Sequence, residues 1–125
     1  MRLFACNRLI PFVTAVTCTL VAAACVRDAA PDIVYFYEIV CPACPESERA
    51  VALAGDLSIA ARQDGAEFAS HDVMRGDGME VLRSMSEKHS VDFFEVTLPA
   101  VFFDGRVYAG FDAVTEFLAS KMVEK

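Results

Sequence analysis

Basic residues are scarce in this chain: lysine and arginine number 11 against 18 aspartates and glutamates. That deficit opposes nucleic-acid binding, whose affinity rests on cations matched to phosphates. Only six glycines and five prolines occur, spread thinly, while hydrophobic residues reach 55% and charged ones 23%. Such a balance excludes low-complexity and intrinsically disordered behaviour. With 125 residues there is room for one compact domain with a buried core, and none for a repeat array or several domains. Histidine occurs twice, with no His-x-His grouping, and no second close cysteine pair is present.

No acidic residue precedes Asp28, and no charge of either sign lies between Leu9 and Val26. Arg2 and Arg8, this uncharged run and then Ala22-Ala23-Ala24 follow the basic, apolar, small-residue order of an export signal. A buried N-terminal helix fits less well, because Pro11 with Thr14, Thr17, Cys18 and Thr19 leaves no amphipathic stripe. The run of 18 uncharged residues also reaches the lower length limit of a membrane span, with threonine and proline weakening its apolar character. The expected division is a signal at 1–24, a short linker at 25–31 and a domain at 32–125. The domain is then exported, either periplasmic or anchored to a membrane facing outside the cytoplasm. Val21-Ala22-Ala23-Ala24-Cys25 resembles a bacterial lipoprotein processing site, although Ala22 stands where leucine is usual. Cys25 is accordingly either acylated, tethering the domain to a membrane, or a plain new terminus. Loss of Arg2 and Arg8 takes two positive charges from a net of −7 and leaves −9.

Cysteine counting follows from that cut. Cys6 and Cys18 leave with the signal, and beyond Cys25 the folded part keeps only Cys41 and Cys44. A disulfide closing so short a loop removes little entropy from the unfolded chain, so the pair is read as chemical rather than structural.

The remainder alternates strand and helix. Ile33 to Tyr37 is a β-branched and aromatic run after Pro31. Pro42, Glu46 and Glu48 open a helical stretch to about Gln63 that carries Ala50, Val51, Leu53, Ala54, Leu57 and Ala61. A second strand fits Glu67 to Val73, and Gly76 and Gly78 break the chain before a helix from about Met79 to His89, with Val81, Leu82 and Met85 on one side. After a loop from Val91 to Thr97, Pro99 introduces a strand at Ala100–Phe103. Asp104-Gly105 turns it, and Val107–Ala109 returns. A final helix spans Asp112 to about Val123, with Asp112 as its cap and Val114, Phe117, Leu118 and Met122 as its apolar stripe.

Cys41-Pro42-Ala43-Cys44 therefore lies where the first strand ends and the first helix begins. Free N–H groups and the positive end of the helix dipole stabilise a thiolate there, which makes Cys41 the candidate nucleophile. Cys44, one turn on and more sheltered, is placed to resolve a mixed disulfide at Cys41. The pair itself is the redox group, and no separate cofactor is called for.

These residues resemble the thioredoxin superfamily from about Ile33 to Val123. The strand-Cys-x-x-Cys-helix element, Leu98-Pro99 ahead of a strand, and the hairpin followed by Gly110 and a terminal helix carry the likeness. The resemblance implies an α/β, three-layer fold in the order βαβαββα, with a mixed four-stranded sheet flanked by helices. It also implies a cis peptide bond at Pro99, beside Cys41, with Leu98 offering its backbone to a substrate peptide and Pro42 and Ala43 facing that substrate. Implied partners are protein thiols or disulfides and a membrane or exported redox partner, with the domain acting as a monomer. Tyr35, six residues before Cys41, stands where thioredoxins often keep a buried acid, and the tryptophan and Gly-Pro spacer of ordinary thioredoxins are absent.

Two branches divide the remaining signals. The 55-residue step from Cys44 to Pro99 and the Cys-Pro-x-Cys sequence look like a glutaredoxin. However, Glu38 stands where glutaredoxins often carry a basic residue, Ala109-Gly110 replaces paired glycines, and Asp112 comes one position early for the glutathione-contacting acid. Phe36 to Cys44 is instead similar to exported disulfide oxidoreductases, whose long helical insertion has no space here. Glu38 is read as a solvated charge before it is read as a proton relay. A different class of function is soft-metal carriage, with Cys41 and Cys44 binding Cu(I) and His71, His89 or a methionine completing the shell. Met74, Met79, Met85 and Met122 form no array, and packing or surface accounts for them. A degenerate domain that binds partners without turnover is the third reading.

Overall fold

The computed structural model describes residues 30–123, so the expected signal at 1–24 and Cys25 lie outside the described residues. Five strand-forming residues build β1 (Ile33–Tyr37), which becomes an inner strand of the sheet. Along it follow α1 (Pro45–Asp64), β2 (Phe68–Asp72), α2 (Gly78–Lys88), a single 3₁₀ turn (Phe93–Glu95), β3 (Ala100–Phe103), β4 (Arg106–Ala109) and α3 (Phe111–Val123). The strands form one mixed sheet in the order β2-β1-β3-β4, with β1 parallel to β2 and antiparallel to β3. This is an α/β architecture of four strands and three helices, compatible with a thioredoxin-like fold.

Alternation along β1 explains its unbroken apolar sequence, since both faces are covered. Ile33 and Tyr35 enter one core with Leu53, Leu57 and Ala61 of α1 and Val114, Phe117 and Leu118 of α3. Val34 and Phe36 enter a second core with Val73, Leu82, Ala100 and Phe102. Full burial of each of the larger side chains contributes roughly 1.5–3 kcal/mol, which fixes β1 in register from both sides.

Turn chemistry joins these layers. α1 ends at Gly65, whose φ of 69° is left-handed; Gly65 N–H donates to the Arg62 carbonyl at 3.2 Å and Ala66 N–H to that of Ala61 at 2.9 Å. Asp104 and Gly105 both have positive φ, 48° and 73°, the requirement of a two-residue turn whose twist matches its strands. Gly78 opens α2 against the carbonyl of Asp72, where a Cβ would collide with backbone.

Several boundaries and faces differ from the sequence reading. α3 begins at Phe111, so Asp112 lies inside its first turn and is not the cap; its charge still favours the helix dipole there. Met122, expected in the apolar stripe of α3, lies on the surface beside Ile59, while Val114, Phe117 and Leu118 fill the core. Val51 is likewise exposed on the flank of α1, one residue round from buried Ala50. Among the described residues no helix is long and apolar enough to cross a membrane.

Candidate active site

β1 ends at Tyr37, and four residues later the chain enters the Cys41–Cys44 turn, which a disulfide closes. The two Cα atoms are 5.3 Å apart, within the ordinary range for a bridged pair. Cys44 N–H donates to the Cys41 carbonyl at 3.1 Å, and the Cys44 carbonyl then accepts from Glu48 N–H at 3.1 Å as the first bond of α1. Cys44 is thus the residue that caps the helix, and Pro45 is its first helical residue.

The helix therefore starts later than expected, and Pro45 supplies the reason. Had the helix begun at Pro42, Pro45 would fall in the second half of its first turn with its ring against the carbonyl of Cys41, four residues back. At the first helical position its missing N–H costs nothing. A proline also pushes the residue before it out of the helical region, and Cys44 has φ −81° and ψ 141°. Cys41, preceding Pro42, is under the same restriction. Both cysteines consequently sit ahead of the helix, and Cys44, expected to be the sheltered one, is partly exposed like Cys41. Pro42 and Ala43 are exposed at the tip of the turn.

The peptide bond between Leu98 and Pro99 is cis. Gly110, with φ 91°, donates its N–H to the Pro99 carbonyl at 2.8 Å and to the Thr97 carbonyl at 3.2 Å, so the start of α3 holds both sides of this loop. Leu98 is half-buried and makes no hydrogen bond through its backbone to any other described residue. Leu98 and Pro99 line a cleft of about 170 Å³ with Tyr37 at the end of β1, Glu38 just after it, Glu46 and Ala50 of α1, and Phe111. From the sequence Glu46 was read only as part of the helix start, and Phe111 was not picked out. Glu46 lies two residues past Cys44, which was a usable signal, whereas Phe111 reaches the cleft only because Gly110 turns α3 toward Pro99.

Larger hollows lie elsewhere among the described residues. One of about 430 Å³ shares Pro42 with the motif and is walled by Ile39, Val51, Ala52 and Arg75. A larger one of about 500 Å³ lies at the beginning of β1, the far end from the cysteines, beside His89 and the Asp104-Gly105 turn.

Tyr35 is fully buried beneath the site, and its hydroxyl donates to the Ala50 carbonyl at 2.9 Å. Burial pushes its pKa well above the ordinary tyrosine value, with a further push from Tyr37. A phenol so protonated and so engaged is no proton acceptor for Cys44. Glu38 is exposed. His71 stacks on Phe36 at 5.5 Å and His89 meets Phe102 edge-on at 5.3 Å, so the two histidines serve separate packing contacts. Among the described residues no three His, Cys, Asp or Glu side chains are grouped to hold a metal ion. The chain matches neither a family model nor a curated protein.

Chemically, a bonded pair in a partly exposed turn can accept two electrons from an incoming dithiol and return them to a disulfide. The close Cys pair thus points to redox chemistry.

Proposed function

We propose that the protein is a thioredoxin-like thiol-disulfide oxidoreductase acting on protein thiols or disulfides outside the cytoplasm. The observation that carries this reading is the Cys41–Cys44 disulfide, which closes a two-residue loop at the end of an inner strand and lies partly open to solvent. Such a loop adds little to stability, whereas the position at a strand end and helix start suits exchange.

In the oxidising direction a substrate thiolate attacks Sγ of Cys41, the Cys41–Cys44 bond breaks, and Cys44 leaves as a thiolate. A second substrate thiolate then attacks the mixed disulfide, releasing a substrate disulfide and leaving both enzyme cysteines reduced. In the reducing direction the Cys41 thiolate attacks a substrate disulfide, and Cys44 resolves the product by restoring the internal bond. Cys44, as the residue that caps the helix, stands at the positive end of its dipole, which favours the thiolate as it departs. Pro42, Ala43, Leu98 and Pro99 form the substrate-facing surface in this reading. The basic, apolar, small-residue order at 1–24 supports an extracytoplasmic site of action, with Cys25 as the residue that would decide tethering.

Equilibration of the full chain against defined thiol-disulfide buffers tests the proposal, with metal analysis on the same sample. A reversible two-electron transition of Cys41 and Cys44 is expected. A potential near about −120 mV would mark an oxidant and one near or below about −270 mV a reductant. No reversible transition, with metal retained at a fixed ratio, would replace this reading by carriage.

A further inference from the structure

We propose that the cleft beside the Cys41–Cys44 turn selects substrate segments carrying lysine or arginine near the reacting cysteine. The inference rests on the exchange reading above and adds a substrate class to it.

Glu38 and Glu46 reach this cleft from two separate elements, the loop after β1 and the first turn of α1. Among the described residues neither carboxylate has an ion pair or a hydrogen-bonding side chain. The nearest cation along α1, Arg49, stands at the rim: its guanidinium lies 4.5 Å over the ring of Phe111, another wall of the cleft. Counting Arg49 at the rim, two carboxylates against one guanidinium leave the cleft negative, on a chain whose net charge is −7. The remaining walls are chemically suited to the stem and head of a long basic side chain. Leu98 and Pro99 give an apolar surface for methylenes, and the ring of Tyr37 lines the same space. An acidic substrate segment meets net repulsion in the same space. Neither glutamate takes part in bond making; each acts on where the substrate segment lies before sulfur attacks sulfur.

The test uses the oxidised full chain and three peptides of equal length, each with one cysteine flanked at two residues' distance by lysine, serine or glutamate. Because flanking charge alters the peptide thiol itself, each rate is divided by that peptide's rate with the neutral hydroxyethyl disulfide. The lysine peptide is expected to exceed the glutamate peptide about tenfold at low ionic strength, the lower end of what a cleft of one sign achieves. The ratio should fall toward one at about 0.5 M salt, where the Debye length is only a few ångströms. Glu38→Gln with Glu46→Gln should bring it within about twofold at low salt. A ratio near one in the wild-type chain overturns the inference while leaving exchange intact. So does a ratio that survives the double substitution or high salt. If no peptide is oxidised faster than by hydroxyethyl disulfide, the exchange reading falls, and this inference falls with it.

Discussion

The hydroxyl of Tyr35 donates to the backbone carbonyl of Ala50 at 2.9 Å, joining the centre of β1 to the first half of α1 beneath the cysteines. Tyr35→Phe deletes this bond with little change in shape, and a loss of about 1 kcal/mol is expected from the urea midpoint at neutral pH. Tyr35 also carries a pH signature. Its folded pKa is raised above the unfolded value of about 10, so its contribution is intact below pH 10 and is lost as pH climbs toward the folded value. Above pH 10 the wild-type chain should therefore lose stability more steeply than Tyr35→Phe. Parallel losses in the two proteins would show that this phenol is not the source.

Cys41→Ser is expected to abolish exchange with peptide thiols. Cys44→Ser, offered a peptide disulfide, should instead accumulate the mixed disulfide at Cys41 as one peptide thiol leaves, visible as an added peptide mass that dithiothreitol removes. Full activity in Cys41→Ser would reverse the assignment of the two sulfurs.

Two glycines should respond oppositely to alanine. Gly55 lies within α1 with open space around a built Cβ, so Gly55→Ala should raise stability by about 0.5–1 kcal/mol. Gly78 abuts the Asp72 carbonyl, and Gly78→Ala should cost about 1–3 kcal/mol as the start of α2 moves off the end of β2. Denaturant midpoints of the two variants check both signs.

At the β3–β4 turn, Gly105→Val forces a branched residue to a φ of 73° and should cost about 1–2 kcal/mol. Asp104→Asn keeps a residue type that tolerates its φ of 48° and should leave the melting temperature nearly unchanged.

Strands were the most legible part of the sequence. Ile33–Tyr37 and Ala100–Phe103 are runs of compact apolar or aromatic residues beside a proline, and both match the observed strands residue for residue. The Asp104-Gly105 turn was legible for the same local reason. What escaped the reading depends on longer-range competition. The first proline of Cys-Pro-Ala-Cys-Pro looks like a helix start until Pro45 is weighed with it, and the helix can accept only one of the two at its head. The 3₁₀ turn at Phe93–Glu95 is held at Asp92, whose side chain accepts from Phe94 N–H at 2.9 Å and whose carbonyl accepts from Glu95 N–H at 3.0 Å. Met122 and Val51 fit the helical period, but tertiary packing covers only part of each helix. At the site, the cysteine pair and Leu98-Pro99 were legible as motifs, whereas Glu46 and Phe111 meet across elements 65 residues apart, which periodicity does not report.

Each cysteine of the turn is followed directly by a proline. When the sulfur bridge opens, Pro42 and Pro45 still hold the two backbones in their extended range, so the thiols cannot drift far apart. Their effective concentration for one another stays high, as it does for reacting groups fixed on a short rigid spacer. In the proposed exchange, a protein partner captured on Cys41 competes against a neighbour already in position. Covalent complexes with partners should then be brief in the intact pair, as for a carrier that lets go quickly rather than a trap.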